Sequence, residues 1–254
     1  MCRFKIISIL FVVLITNLVF SQDTKVNIDS IQSSYSVWKE YHSKNIRLSL
    51  DFKALDNQNN ELSKEEFLNL IISEKWLPIE VESESEIAYK LFPINPKSDS
   101  SIKASLEAES FEILGNFKKE GTLFPKFSFK DINGNLIDNE SLKGKIVVIK
   151  CWFIHCAPCI KEFPEVNNLA DKYKDRNDMV FLSLAEDNTE QLIAFLNKKP
   201  LHYLVVPNMK DYMNSALQLN GFPTHFILDK DGKIIKVLSD FKSLEISLEK
   251  FLQD

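Results

Sequence analysis

The chain has 254 residues, is 44% hydrophobic and 26% charged, and carries a formal net charge of −5. That globular composition excludes a disordered chain, and the acidic balance leaves no electrostatic footprint for nucleic acid. Four cysteines are too few for a disulfide-rich scaffold, and six glycines without a repeating period exclude collagen-like and Gly-rich repeat architectures.

The N-terminus reads as an export signal. Arg3 and Lys5 precede an apolar run from Ile6 to Phe20, interrupted only by Ser8, Thr16 and Asn17. As a helix that run spans roughly 22 Å, short of a hydrocarbon core of about 30 Å. Val19 and Ser21 suit the −3 and −1 positions of a cleavage site before Gln22, so residues 1–21 are predicted to be a cleaved signal peptide. An uncleaved anchor is the alternative, and only then would the protein contact the membrane. Cys2 precedes the apolar run instead of following it, which argues against lipidation. Cleavage would remove Arg3 and Lys5 and no acid, taking the charge from −5 to −7. Cys151, Cys156 and Cys159 stay on the exported part, outside the cytosol, where disulfides persist.

Residues 22–118 read as a small α+β accessory region without a chemical motif. The alternation from Arg47 to Phe52 predicts a strand. Ser63-Lys-Glu-Glu66 predicts a capping box, with Phe67, Leu70 and Ile71 on the apolar face behind it. Trp76 to Val81 predicts a second strand. The spacing of Ile102, Leu106, Ile113 and Phe117 predicts a helix.

From residue 119 to 254 the pattern changes. Phe124 to Phe129 predicts a strand and Asn133-Gly134 a hairpin turn. Lys145 to Phe153 is nearly all apolar, as in a buried central strand. A helix is predicted from about Cys159 to Tyr173, then a strand over Met179 to Ala185. Thr189 to Asn197 reads as a helix, Tyr203 to Val206 as a strand and Asp211 to Leu219 as a helix. His225 to Asp229 and Ile234 to Leu238 predict two strands around a turn, with a last helix from about Ser243. Such alternation predicts an α/β fold, a central mixed sheet covered on both faces.

The chemistry concentrates in Cys156-Ala157-Pro158-Cys159. Cys156 falls just past the buried strand and Cys159 in the first helical turn. Two intervening residues let the sulfurs bond. The helix N-terminus favours a thiolate on the first cysteine through free amides and the helix dipole. Pro158 suits the opening turn, where its missing N–H costs little. Cys156 is therefore the candidate nucleophile and Cys159 the resolving thiol. A structural disulfide or half a zinc site is the alternative. There is no second CxxC, His42, His155, His202 and His225 are scattered, and Ile160 stands where haem attachment needs His. Glu162 lies one turn after Cys159 on the same face, where a carboxylate could relay a proton to the resolving thiol.

The segment Trp152-Phe-Ile-His-Cys156-Ala-Pro-Cys159-Ile-Lys-Glu162-Phe-Pro164 resembles the active-site segment of the TlpA/ResA-like thiol-disulfide oxidoreductases of bacterial envelopes. Gly221-Phe-Pro223-Thr224 resembles that family's cis-proline loop. The likeness covers about residues 121–254. It implies a thioredoxin-like three-layer α/β/α domain with an extra helix–strand unit between Cys159 and Pro223. It also implies a cis Pro223 against the disulfide, with Phe222 offering backbone to a substrate strand. Trp152, His155, Pro158 and Thr224 are the supporting residues, and Glu162 matches an active-site acid. No cofactor beyond the redox disulfide and no metal are expected. The implied partners are protein thiols or disulfides and an envelope electron donor.

Departures from the pattern matter too. Lys150 stands where many thioredoxins bury an acid, and its ammonium is predicted to reach Glu162 near the disulfide. His155 replaces a common tryptophan and, as a cation, would favour the Cys156 thiolate. Cys151 reads as a buried inert thiol and His225 as a hydrogen-bonded core histidine. A thioredoxin-like peroxidase would place Thr or Ser where Phe153 stands. A non-catalytic metal-binding or docking module is the third alternative.

Overall fold

The computed structural model describes residues 27–84 and 86–253, and the export-signal reading of residues 1–21 lies outside them. Among the described residues, the N-terminal part comprises α1 (Ile28–Ile31), α2 (Tyr35–Asn45), β1 (Lys53–Leu55), β2 (Glu61–Leu62), α3 (Lys64–Ile72), β3 (Trp76–Val81), β4 (Ala88–Pro93) and α4 (Ser100–Phe117). Its sheet runs β2-β1-β4-β3, with β1 and β4 parallel and the other pairs antiparallel. At the start of α3, Ser63 N–H donates to Glu66 Oε2 at 2.8 Å and Glu66 N–H to Ser63 Oγ, closing the capping box. Phe67, Leu68 and Ile71 then pack against Trp38, Leu77, Ile79, Ile102 and Leu106. Leu68 takes the buried place predicted for Leu70, which is only half-buried.

The alternation over 47–52 does not make a strand. Leu50 N–H donates to Arg47 O, so the segment turns, and the ladder starts at Lys53. The turn divides its leucines: Leu48 enters the N-terminal core and Leu50 the C-terminal one. Lys64 Nζ caps the carbonyls of Ser49 and Leu50 at 3.0 and 2.8 Å, which an extended strand would have used in pairing.

The C-terminal part comprises β5 (Ser128–Lys130), β6 (Leu136–Asp138), β7 (Ile146–Trp152), α5 (Ala157–Lys161), α6 (Phe163–Lys172), β8 (Met179–Ala185), α7 (Thr189–Leu196), β9 (Leu204–Val206), α8 (Lys210–Ser215), β10 (Thr224–Leu228), β11 (Ile234–Leu238) and α9 (Phe241–Gln253). The sheet order is β11-β10-β7-β8-β9. β7, β8 and β9 are parallel, whereas β10 is antiparallel to both neighbours. Residues of α6, α7 and α9 fill one face with Ile146, Val148 and Trp152. Met213 of α8, Phe124 and Ile137 fill the other with Val147, Ile149 and Cys151. This is the thioredoxin-like α/β architecture, with a mixed sheet between two layers.

Three element limits differ from the sequence reading. Residues 124–127 are not strand: Phe124 N–H donates to Gly232 O, and the ladder with β6 begins only at Ser128. The long helix breaks at Glu162, because Pro164 has no N–H for the carbonyl of Ile160, and α6 restarts at Phe163. α8 ends at Ser215, and Gln218 adopts a left-handed φ of 50° that no helix continues through.

The chain crosses between the two sheets along the free edge of β11. Gly121 N–H donates to Ile234 O at 2.7 Å and Ile234 N–H to Thr122 O at 2.8 Å. Gly121 turns the chain into this pairing with a φ of 83°, a conformation that costs glycine little. Lys236 of β11 then bonds Asp51 and, at 3.0 Å, Glu120, tying the N-terminal part to the sheet. No described helix is long and apolar enough to cross a membrane.

Candidate active site

The site grows from the end of β7. All seven residues of that strand are buried, so the chain leaves the core at Trp152 and must turn. Trp152 is fixed first: its indole N–H donates to Ser183 Oγ at 2.5 Å, and its ring meets Phe163 edge-on at 5.0 Å. Asp187 Oδ2 accepts the N–H of Ile154 at 2.7 Å and holds the turn. Cys156 is then the N-cap of α5. Its Sγ accepts the N–H of Cys159 at 3.3 Å, with Pro158 in the opening turn. Cys156 and Cys159 form a disulfide across a Cα separation of 5.3 Å. Cys156 is 4% exposed and Cys159 is fully buried, so only the first cysteine meets solvent. His155 beside it is exposed.

The Phe222–Pro223 peptide bond is cis. Phe222 packs edge-on against Phe153 at 5.5 Å, which sets its loop against the turn that carries the cysteines. Thr224 Oγ1 donates to Gly221 O at 2.8 Å and closes the loop on itself.

Behind α5 lies a buried charge cluster. Lys150 and Glu162 meet: Lys150 Nζ donates to Glu162 Oε2 at 2.7 Å. Lys150 has no exposed surface, while 12% of the Glu162 side chain is exposed. The same oxygen accepts from His225 Nε2 at 3.1 Å, and Oε1 accepts the N–H of Phe241 at 2.7 Å. Burial opposes ionisation of Glu162. The His225 hydrogen bond and the Lys150 ammonium outweigh it and hold the carboxyl down at about 2. Burial, with the Lys150 charge beside it, pushes His225 below its ordinary value. With Glu162 ionised, His225 Nε2 donates to it, and the buried Nδ1 finds no partner among the described residues. A second proton there would be an unpaired buried donor. Burial also lowers Lys150, against the pull of Glu162. An open groove of about 640 Å³ runs from Pro158 past Glu162 to Asp240 and Phe241, so the exposed edge of the carboxylate reaches solvent beside the CxxC helix.

Sequence reasoning did not connect His225, the Phe241 backbone, Ser183 or Asp187 to this site. His225 had a readable signal in the strand register: it pairs directly with Lys150 across β10 and β7, so their side chains share a face. Cys151 points to the opposite face, where full burial pushes its thiol far above the usual range. Among the described residues, no three His, Cys, Asp or Glu side chains are placed to hold a metal ion.

Two cysteines that close into a disulfide at a helix start, at the C-terminal end of the central strand of a thioredoxin-like sheet, interconvert a dithiol and a disulfide. The molecule is a thioredoxin-fold thiol-disulfide oxidoreductase. Residues 119–245 match the Redoxin family model, and the chain belongs to that family. It is 32% identical over 130 residues to the thiol-disulfide oxidoreductase ResA of Bacillus anthracis, covering 51% of this chain and 74% of that protein. To the ResA of Bacillus subtilis (strain 168) it is 30% identical over 121 residues, covering 47% and 67%. A solved thioredoxin domain of a thiol-disulfide oxidoreductase from Bacteroides vulgatus superposes with a TM-score of 0.48 at 24% identity, over 52% of this chain and 96% of that one.

Proposed function

We propose that the protein works outside the cytosol, in a bacterial cell envelope, exchanging disulfides with cysteine-containing proteins. The carrying observation is the Cys156–Cys159 pair at the start of α5, with Cys156 Sγ on the Cys159 amide. In the reductive direction the Cys156 thiolate attacks one sulfur of a substrate disulfide. The substrate S–S bond breaks, and its other sulfur leaves as a thiolate that takes up a proton. Cys159 then attacks Cys156 Sγ, releasing the second substrate thiol and leaving the protein disulfide. Two electrons pass to the substrate without an added cofactor, and an envelope electron donor restores the dithiol.

The supporting roles follow from position. Phe222 offers its backbone to the substrate strand, and Pro223, with no N–H of its own, leaves that edge open. Thr224 and Trp152 hold the loop and the turn, Pro158 starts the helix, and His155 shapes the rim. Glu162, neutralised by Lys150, sets the charge one turn from Cys159. The basic start and apolar run of residues 3–20 support export. The deciding experiment expresses Cys159→Ser in the native host. Cys156 should retain its partner as a mixed disulfide, recovered by non-reducing electrophoresis and released by dithiothreitol. Absence of any thiol-dependent adduct, with the Cys156→Ser control equally empty, would overturn the proposal.

A further inference from the structure

The N-terminal part reaches the substrate side of the site through α4. Gly221, one residue before the pairing position Phe222, has no side chain where a neighbour stands close. A Cβ built there would overlap the carboxylate of Glu112, whose two oxygens and carbon are the atoms nearest to it. Just past the end of α4, Lys119 Nζ donates to Gln218 O at 3.2 Å, so α4 and the turn after it hold this loop at two points.

The Glu112 carboxylate is half-buried, and burial pushes it above its ordinary value. Among the described residues no hydrogen bond eases it; only the more distant charges of Glu109 and Lys119 act on it. Lys119 is committed to Asn116 Oδ1 at 2.9 Å and to the loop carbonyl. An uncompensated carboxylate at a crowded glycine costs stability. Its placement makes sense if the missing cation arrives with the substrate. A strand paired with Phe222 would run about 4.8 Å from the loop backbone. A long basic side chain on that strand would then meet the carboxylate.

We infer that Glu112 is a specificity-determining residue, by which the N-terminal part selects cysteine-bearing segments that carry Lys or Arg beside the reacting cysteine. This rests on the substrate edge proposed above. The test uses the full chain, reduced beforehand, in single turnovers at low salt. Two disulfide-closed peptides differ only in carrying Lys or Glu on either side of one cysteine. Each rate is divided by the same variant's rate with hydroxyethyl disulfide, which has neither charge nor backbone. The wild-type protein should prefer the Lys peptide by about 10-fold, a preference that fades as salt screens it. Glu112→Gln should bring the ratio to within about two-fold, and Glu112→Lys should invert it, with thermal melts reporting that both variants fold. A ratio indifferent to both variants, or a wild-type protein that takes both peptides alike while reducing hydroxyethyl disulfide, would overturn this inference and leave the oxidoreductase function standing. No turnover of any of the three disulfides would overturn both.

Discussion

Lys150→Met removes the charge that Glu162 is built around and keeps a side chain of similar length in a fully buried strand. The Glu162 carboxyl moves from an ordinary value of 4.5 down to about 2 in the fold. That depression, which the His225 hydrogen bond and the Lys150 charge produce together, corresponds to about 3 kcal/mol of folding stability at neutral pH. Breaking a buried pair by removing one partner typically costs about 3–5 kcal/mol, but burial disfavours the Lys150 ammonium as well, and its removal relieves part of that cost. Because the folded value lies below the unfolded one, the stabilisation is complete above about pH 5 and disappears as pH falls through 4.5 toward 2. Urea unfolding of the oxidised protein and of Lys150→Met at a series of pH values reads this directly. At pH 7 the variant should unfold with a stability lower by about 1–3 kcal/mol, and the gap should close between pH 5 and pH 2. Adding Glu162→Gln to Lys150→Met should restore much of the loss, because no buried charge is then left alone. A gap that is absent at pH 7, or that stays constant down to pH 3, would refute the assignment of Lys150 as the partner that keeps Glu162 ionised.

Three more outcomes are expected. Ser183→Ala leaves the buried Trp152 indole N–H without its acceptor, so it should cost about 1–3 kcal/mol in urea unfolding; Trp152→Phe should make that substitution nearly free. Cys151 should stay unlabelled by iodoacetamide in the folded, reduced protein and be labelled only in guanidinium, as peptide mapping by mass spectrometry would show, since burial holds its thiol protonated. Gly221→Ala should destabilise by about 1 kcal/mol by displacing the Glu112 carboxylate, and thermal melts should show that loss vanish in a Glu112→Ala background.

What the sequence made legible was what local pattern decides. The apolar run of β7, the capping box at Ser63 and the spacing of Cys156 and Cys159 each act over a few residues, and the structure places them where pattern puts them. The failures lie where a distant group overrides the pattern. Residues 47–52 alternate as a strand would, yet Lys64 takes their carbonyls and two different cores divide their leucines. Phe124 opens a strand-like run but is spent on the edge of β11. His225 joins the site through a cross-strand register that no local spacing encodes. The contact between Glu112 and Gly221 links residues more than 100 positions apart and leaves no trace in either local sequence.

The cluster behind the disulfide also constrains how protons move. A general base works best when its proton affinity lies near the working pH. Glu162, held near 2 by Lys150 and His225 and further bound to the Phe241 amide, is far from that range. To accept a proton from Cys159 it would have to loosen at least one of those contacts. Lys150 is the part of the arrangement that makes this costly, because a proton on Glu162 would leave its ammonium buried without a partner. With the acid moved from the strand to the helix and a lysine in its place, the cluster is suited to hold a fixed, charge-balanced ion pair near the dithiol. The proton released by Cys159 is then better taken by the departing substrate thiolate, or by water in the groove along Pro158 and Glu162, than by the carboxylate itself.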